Sequence, residues 1–379
     1  MPRKKIAINT RFLLHHRLEG IGRFTLESCK LLVQQHPEHD FLFLFDRPYH
    51  SDFIFSSNVT PVVVSPPARH PLLWYAWFEW AVPRQLKHHQ ADLFFSPDGY
   101  CSLRTPIPTL LVVHDLAFEH FPEQIPFWVR HYYRYFSPRY AHRAEQIAAV
   151  SAYTRQDLVQ QYGIAPEKIS ITYNAVNIHY APLSEAQKQS VRQQYTHGHD
   201  YFLFVGAIHP RKNLANILRA FTLFKQQQPD NTVKMLVAGR KAWQSSEAFE
   251  VYEQMPHKAD VIFTGHLEVD TLSQIVGAAK ALVYASLFEG FGIPIIEAMQ
   301  THTPVITANV SSMPEVAGGA ALLVDPYNPQ TIAQAMQTVY TQPQKIQELV
   351  QKGAQQCQKF NWQNTADQLW QIMEKMLAH

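Results

Sequence analysis

Ala281-Leu282-Val283-Tyr284-Ala285, the passage Ser286 to Gly292, and Ile293-Pro294-Ile295-Ile296-Glu297 read in succession as a buried strand, a loop and the start of a helix. The apolar run is too short for a helix and is closed by turn residues, while Pro294 suits an early helical position because the N–H it lacks would be unpaired there anyway. Gly290 and Gly292 leave the loop bare, so a diphosphate can approach backbone N–H groups and the positive end of the helix dipole. Glu289 and Glu297 would repel such an anion. Their chemistry suits neutral hydroxyls instead, whose donors a carboxylate accepts two at a time, and sugars are rows of hydroxyls. The plainer reading, a solvated loop carboxylate at 289 and a helix-surface charge at 297, stays open on this segment alone.

The alternation repeats outward in both directions. Upstream, short apolar runs at Ile6 to Asn9, Phe41 to Phe45, Val62 to Val64, Leu93 to Phe95, Thr109 to Val113 and Gln146 to Val150 alternate with amphipathic stretches. Around the quoted segment the runs are Tyr201 to Val205, Val233 to Ala238, Val261 to Thr264, Pro304 to Thr307 and Ala321 to Val324, and Leu214, Ile217, Leu218, Phe221 and Phe224 recur at helical spacing. Strands separated by helices imply parallel sheets and α/β architecture, with ligands at the C-terminal ends of strands. The polar, Gln-rich passage from Val176 to Asp200, with Pro182 and Gly198, is expected to be the interdomain linker. The expected division is a first domain over 1–180 and a second over 198–361. An amphipathic C-terminal helix, about 362–379, is expected to pack back on the first.

Size and composition exclude several classes. The 379 residues suffice for two ordinary domains, and 33 Lys plus Arg against 31 Asp plus Glu provide no global field for nucleic acid. Cys29, Cys101 and Cys357 are far apart and outside any metal-ligand spacing, which suggests reduced packing thiols and a cytoplasmic protein. Ile6-Ala7-Ile8 after the basic Arg3-Lys4-Lys5 is too short for a signal-peptide core, and Pro71 to Val82 is too short to span a bilayer.

A second anion-friendly turn follows the strand Tyr201 to Val205. In Gly206-Ala207-Ile208-His209-Pro210-Arg211-Lys212-Asn213, backbone donors meet two positive charges; the plainer alternative is a basic turn with Asn213 as a helix N-cap. In the first half, Gly20-Ile21-Gly22-Arg23-Phe24 lacks the third glycine of a dinucleotide fingerprint and reads as a loop before a helix. His114-Asp115 ends a strand, where such sheets present functional side chains.

The ordered blocks G-x-x-x-x-R-K-N, V-A-G, F-T-G, S-L-F-E-G-F-G-I-P-I-I-E-A-M, P-V-I-T and M-P-E-V-A-G-G-A-A-L-L-V-D-P resemble the C-terminal half of the retaining glycosyltransferases of family 4. V-H-D-L-A-F-E-H-F-P-E is similar to a segment of the family's bacterial mannosyltransferases. The resemblance implies a GT-B fold, two facing Rossmann-like domains with a cleft between them. It implies that Arg211 and Lys212 grip a sugar nucleotide's diphosphate, that Glu297 binds ribose and that Glu289 holds the donor sugar. Backbone N–H groups around Phe291, Gly292 and Ile293 complete the cradle, Gly20 and Gly22 face the cleft, and His114 lies against the donor sugar. The implied donor is GDP-mannose, with a UDP-hexose next, and the implied acceptor is a glycan or lipid-linked molecule in polysaccharide or lipopolysaccharide assembly. A sugar-nucleotide isomerase on the same plan is the competing activity. No metal or other cofactor is expected, since no ligand cluster is visible and the basic pair can neutralise the diphosphate.

Two aromatic stretches remain. Leu72 to Trp80 holds Trp74, Tyr75, Trp77, Phe78 and Trp80, and Phe127 to Arg143 interleaves four arginines with tyrosines and contains no carboxylate. The second reads either as peripheral contact with an anionic membrane, at its inner face, or as a helix with tyrosines packed inward and arginines snorkelling outward.

Overall fold

The computed structural model describes residues 2–15, 18, 20–240 and 246–378. It divides into two compact units, one formed by Met1–Asn174 with Asn361–His379 and the other by Ala175–Phe360.

The first unit is a parallel sheet of β1 (Lys5–Asn9), β2 (Asp40–Phe45), β3 (Val59–Val63), β4 (Leu93–Ser96), β5 (Thr109–Val113), β6 (Gln146–Ala149) and β7 (Ile169–Ile171), in the order β3-β2-β1-β4-β5-β6-β7. Its central strands are apolar without alternation because helices cover both faces, and β5 is buried at every position. β7 was not anticipated: Ile169-Ser170-Ile171 is too short to give a period. The helix Trp362–Leu377 packs on the helix Gly20–Gln35 and buries Leu369, Ile372, Met373 and Leu377; Trp370 stacks on His36 at 3.5 Å.

The second unit contains β8 (Tyr201–Val205), β9 (Lys234–Ala238), β10 (Val261–Gly265), β11 (Ala281–Tyr284), β12 (Val305–Ala308) and β13 (Leu322–Val324), in the order β10-β9-β8-β11-β12-β13. Leu214, Ile217, Leu218, Phe221 and Phe224 are all buried, on one side of the helix Leu214–Gln227. In each unit the chain reverses direction across the sheet at the middle, between β1 and β4 and between β8 and β11, and that reversal opens a crevice at the carboxyl ends of those strands.

Two expectations are corrected here. The Gln-rich passage is not a linker throughout, because Glu185–Thr196 is a helix started by a reciprocal Ser184–Gln187 capping box and packed on the helix Val269–Ala278. Charge and glutamine on an exposed helix face resemble a linker in composition alone. Gly20 and Gly22 likewise do not lie in a loop: they form the first turn of Gly20–Gln35. A Cβ at Gly22 would stand 2.7 Å from the Phe12 carbonyl oxygen, so that glycine lets the helix approach the chain leaving β1, whereas Gly20 faces open space.

Candidate functional site

At the middle of the second sheet, Arg211 and Lys212 follow β8 and Glu289 follows β11. Lys212 Nζ donates to Glu289 Oε1 at 2.6 Å and to the Tyr284 hydroxyl at 2.9 Å; Arg211 Nη1 donates to Glu289 Oε2 at 3.3 Å and to the Phe288 carbonyl at 2.6 Å. Glu289 is therefore a buried ion-pair centre, not the solvated loop carboxylate of the plainer reading. Burial raises its pKa, but Lys212 and Arg211 outweigh burial and hold it at about 2. One carboxylate between two cations leaves the corner with a net positive charge.

The loop around Glu289 is built stiff. Leu287 N–H donates to the Arg211 carbonyl, Glu289 N–H to Ser311 Oγ, and Ser312 Oγ–H to the carbonyls of Glu289 and Phe291. Asn213 is not the expected side-chain cap. It sits at φ +62° and its Nδ2 donates to the carbonyls of Ala285 and Pro326, which ties the basic turn to the end of β11. Gly292 has φ +101°, a conformation that favours glycine, and starts the helix Ile293–Gln300 without any side chain capping it. Phe291 is buried with its ring edge against Phe360, and Glu297 lies half-buried on the same helix.

The V-A-G and F-T-G blocks have a physical reason that spacing alone did not reveal. A Cβ at Gly239 would stand 1.8 Å from the Gly206 carbonyl oxygen, and Gly206 N–H donates to Ala238 while Gly239 N–H donates to Gly265. Glycines thus lace the ends of β8, β9 and β10 together beside the basic turn.

The other predicted residues lie in the first unit. His114 follows β5, and its Nε2–H donates to the Pro97 carbonyl at 2.7 Å, leaving Nδ1 as the acceptor. Burial keeps the imidazole below its ordinary pKa, against the Pro97 bond and the charges of Asp115 and Asp98. Phe24 sets its ring edge against His114 at 5.1 Å, so Gly20 and Gly22 connect to His114 through the helix they begin. Asp115 Oδ1 accepts from Ala117 N–H and shapes the turn.

One feature was missed entirely. Arg11, after β1, pairs with Asp98, after β4, at 2.5 Å, and its guanidinium lies over the rings of Phe12, Phe78 and Tyr100. Burial opposes the charge on Arg11, and Asp98 outweighs it and raises the pKa. The signal was available, since each residue lies two positions past the end of a strand at the reversal point. Chain separation also hid a trio: His15, His50 and Asp52, all exposed, bring ligand atoms within 4.8 Å of one another, although no cluster was expected from sequence. The two imidazoles stack at 3.8 Å with 26° between planes, so their in-plane lone pairs run side by side instead of converging on one ion.

Comparison with known proteins agrees with this architecture. Residues 186–356 match the family model for glycosyl transferases group 1, and residues 18–180 match that for glycosyltransferase family 4. The chain is 26% identical over 368 residues to the O-antigen chain mannosyltransferase B of Escherichia coli, covering 94% of this chain and 96% of that one. It is 28% identical over 309 residues to the O-antigen chain mannosyltransferase RfbU of Salmonella typhimurium, covering 78% and 81%. Among solved structures, Anabaena HepE in complex with UDP and glucose superposes with a TM-score of 0.76 at 17% identity, over 98% of this chain and all of that one. WaaG, a glycosyltransferase involved in lipopolysaccharide biosynthesis, superposes with 0.74 at 15% identity, over 97% and 99%. Both halves of the chain thus carry the same assignment: it belongs to the family 4 glycosyltransferases, hexosyltransferases of the GT-B fold.

Proposed function

We propose that this enzyme transfers mannose from GDP-mannose to an acceptor hydroxyl during assembly of a polysaccharide or lipopolysaccharide, with retention at the anomeric carbon. The observation that carries the reading is the corner of Arg211, Lys212 and Glu289, two cations fixed around one buried carboxylate beside an uncapped helix start. The choice of mannose is supported by the two mannosyltransferase relatives, which align over most of their length.

The barrier in such a transfer is cleavage of the sugar–phosphate bond. Negative charge gathers on the departing diphosphate while positive charge gathers on the sugar. Arg211, Lys212 and the start of the helix Ile293–Gln300 stabilise the first of these without reorganising, because Glu289 and Tyr284 already hold the lysine in place. Glu289 is ionised at neutral pH and offers its remaining acceptor capacity to donor-sugar hydroxyls. Glu297, half-buried one turn into that helix, takes the ribose hydroxyls. His114, neutral, presents Nδ1 as an acceptor for a sugar hydroxyl. The leaving phosphate itself helps deprotonate the acceptor on the same face of the sugar, so no enzyme nucleophile is required.

Incubating the purified chain with GDP-mannose or UDP-glucose and a panel of acceptors tests the proposal, with the new linkage read by NMR. Transfer from GDP-mannose with an α-anomeric product supports it; transfer only from UDP-glucose, or an altered sugar nucleotide without acceptor, rejects it. Activity is expected to persist in EDTA, and loss that manganese restores would reject the metal-independent mechanism.

A further inference from the structure

We propose that Ser311 and Ser312 are positioning residues of the donor site, which set the N–H groups of Gly290 and Gly292 on one side of their loop as donors for the diphosphate. The inference rests on the reading of the Arg211, Lys212 and Glu289 corner as a diphosphate site. Both serines lie outside that corner, directly before the helix Met313–Ala317. Ser312 is fully buried and stands at the N-cap of that helix, where a serine hydroxyl ordinarily accepts a bond from the helix's own N–H groups. Here it makes no such bond. Its proton is shared instead between the carbonyls of Glu289 and Phe291, each at 2.9 Å. Across a trans peptide, the C=O of one residue and the N–H of the next point in opposite directions. Carbonyls 289 and 291, both held on the Ser312 side, therefore set the N–H groups of Gly290 and Gly292 on the other side. Backbone donors turned the same way within one short loop form a concavity that binds anions, and Gly292 adds the uncapped start of the helix Ile293–Gln300.

Ser311 supplies the counterpart. Its Oγ accepts the Glu289 N–H at 3.0 Å, which ties that donor to the serine side of the loop. Ser311 sits at φ +53°, in the left-handed region that a serine seldom adopts. Successive side chains of an extended chain point to opposite faces, and the left-handed turn at 311 brings both hydroxyls onto one loop. Glycine would take this backbone conformation without strain, but it lacks the hydroxyl. Neither serine needs to touch the ligand. Arg211 and Lys212 supply the charge, and the two hydroxyls hold the backbone donors in place before the nucleotide arrives, so that binding requires no reorganisation of the loop.

The test is calorimetric titration of the full chain with GDP and with UDP, alongside melting temperatures. Ser312→Ala is expected to weaken binding of whichever nucleotide the parent takes by about tenfold, the loss of one hydrogen bond to a charged ligand. Thr303→Ala is the control, since it removes a buried hydroxyl bond of the same kind, to the Val276 carbonyl at 2.7 Å, in the helix Val269–Ala278. It should lower the melting temperature and leave the affinity unchanged. With glycine-selective isotope labelling, the amide protons of Gly290 and Gly292 should move downfield when the nucleotide is added to the parent. Parental affinity in Ser312→Ala, an equal loss of affinity in Thr303→Ala, or amide protons that do not move would each overturn the inference alone. If Ser312→Ala does not fold, Ser311→Gly provides the same reading, because it relieves the backbone while removing the hydroxyl, and affinity retained there counts against the proposal. A parent that binds neither nucleotide rejects the diphosphate site, and this inference with it.

Discussion

In the first unit Arg11 meets Asp98 one to one, with side chains 5% and 1% exposed, whereas in the second Glu289 faces both Arg211 and Lys212, which are 22% and 17% exposed. Both arrangements occupy the same topological place, the reversal between the first and fourth strands of a parallel sheet. A neutral pair sealed under Phe12, Phe78 and Tyr100 has no charge left for a ligand. It fixes the turn after β4, where Ser96 Oγ and Tyr100 N–H also bond Asp98, and so positions the Pro97 carbonyl that orients His114. The second corner keeps one positive charge in excess and reaches solvent. Equivalent topology thus carries a one-to-one ion pair in one unit and a corner with excess positive charge, the proposed diphosphate site, in the other, and the number of cations per carboxylate separates the two.

The largest effect should come from removing one partner of the sealed pair. Asp98→Ala strands a buried guanidinium and is expected to cost about 3–5 kcal/mol, while Glu289→Ala costs about 2 kcal/mol because Lys212 and Arg211 can turn to water. Urea unfolding measures both, and an equal or larger loss at position 289 breaks the comparison. Next, Arg211→Ala should lower kcat about 100- to 1000-fold and abolish most of the thermal shift given by GDP, with little loss of stability. Arg11→Ala should do the reverse, destabilising the fold while the GDP shift survives.

Acid should separate the corners further. Glu289 has a folded pKa of about 2 against an ordinary 4.5, so its stabilisation is complete above about pH 4.5 and is lost as pH falls toward 2. Melting temperatures across that range should fall less steeply for Glu289→Gln than for the parent, and parallel curves would show that the carboxylate is not held by its cations. The smallest effect concerns His114, whose pKa lies below 6.5. A pH–rate profile should be flat above that value with respect to this group, and a loss of activity on raising pH through neutrality that disappears in His114→Gln would contradict a neutral imidazole.

Much of the fold was legible because its signals are local. The strands around Tyr201 to Val205 and Ala281 to Tyr284 are continuous apolar runs, Pro294 and Gly292 mark a helix start, and the spacing of Leu214 to Phe224 is helical. Elements without a period were missed or misread: β7 has three residues, and the Glu185–Thr196 helix has only Val191 and Thr196 buried, too few to show a stripe. Gly22 was noticed for the wrong reason, since a loop glycine and a helix glycine under a carbonyl are identical in one dimension.

By itself the sequence determined which chemistry was present: two cations after one strand, two carboxylates and a bare turn after another, and a helix rich in arginine and free of acid. Tertiary structure alone decided how those charges meet. It buried Glu289 between Arg211 and Lys212, paired Arg11 with Asp98 across 87 positions, and turned three aromatics of one helix outward while packing its other tyrosines inward. Ion pairing and burial depend on distance in space, which a parallel sheet sets by bringing the ends of nonadjacent strands together.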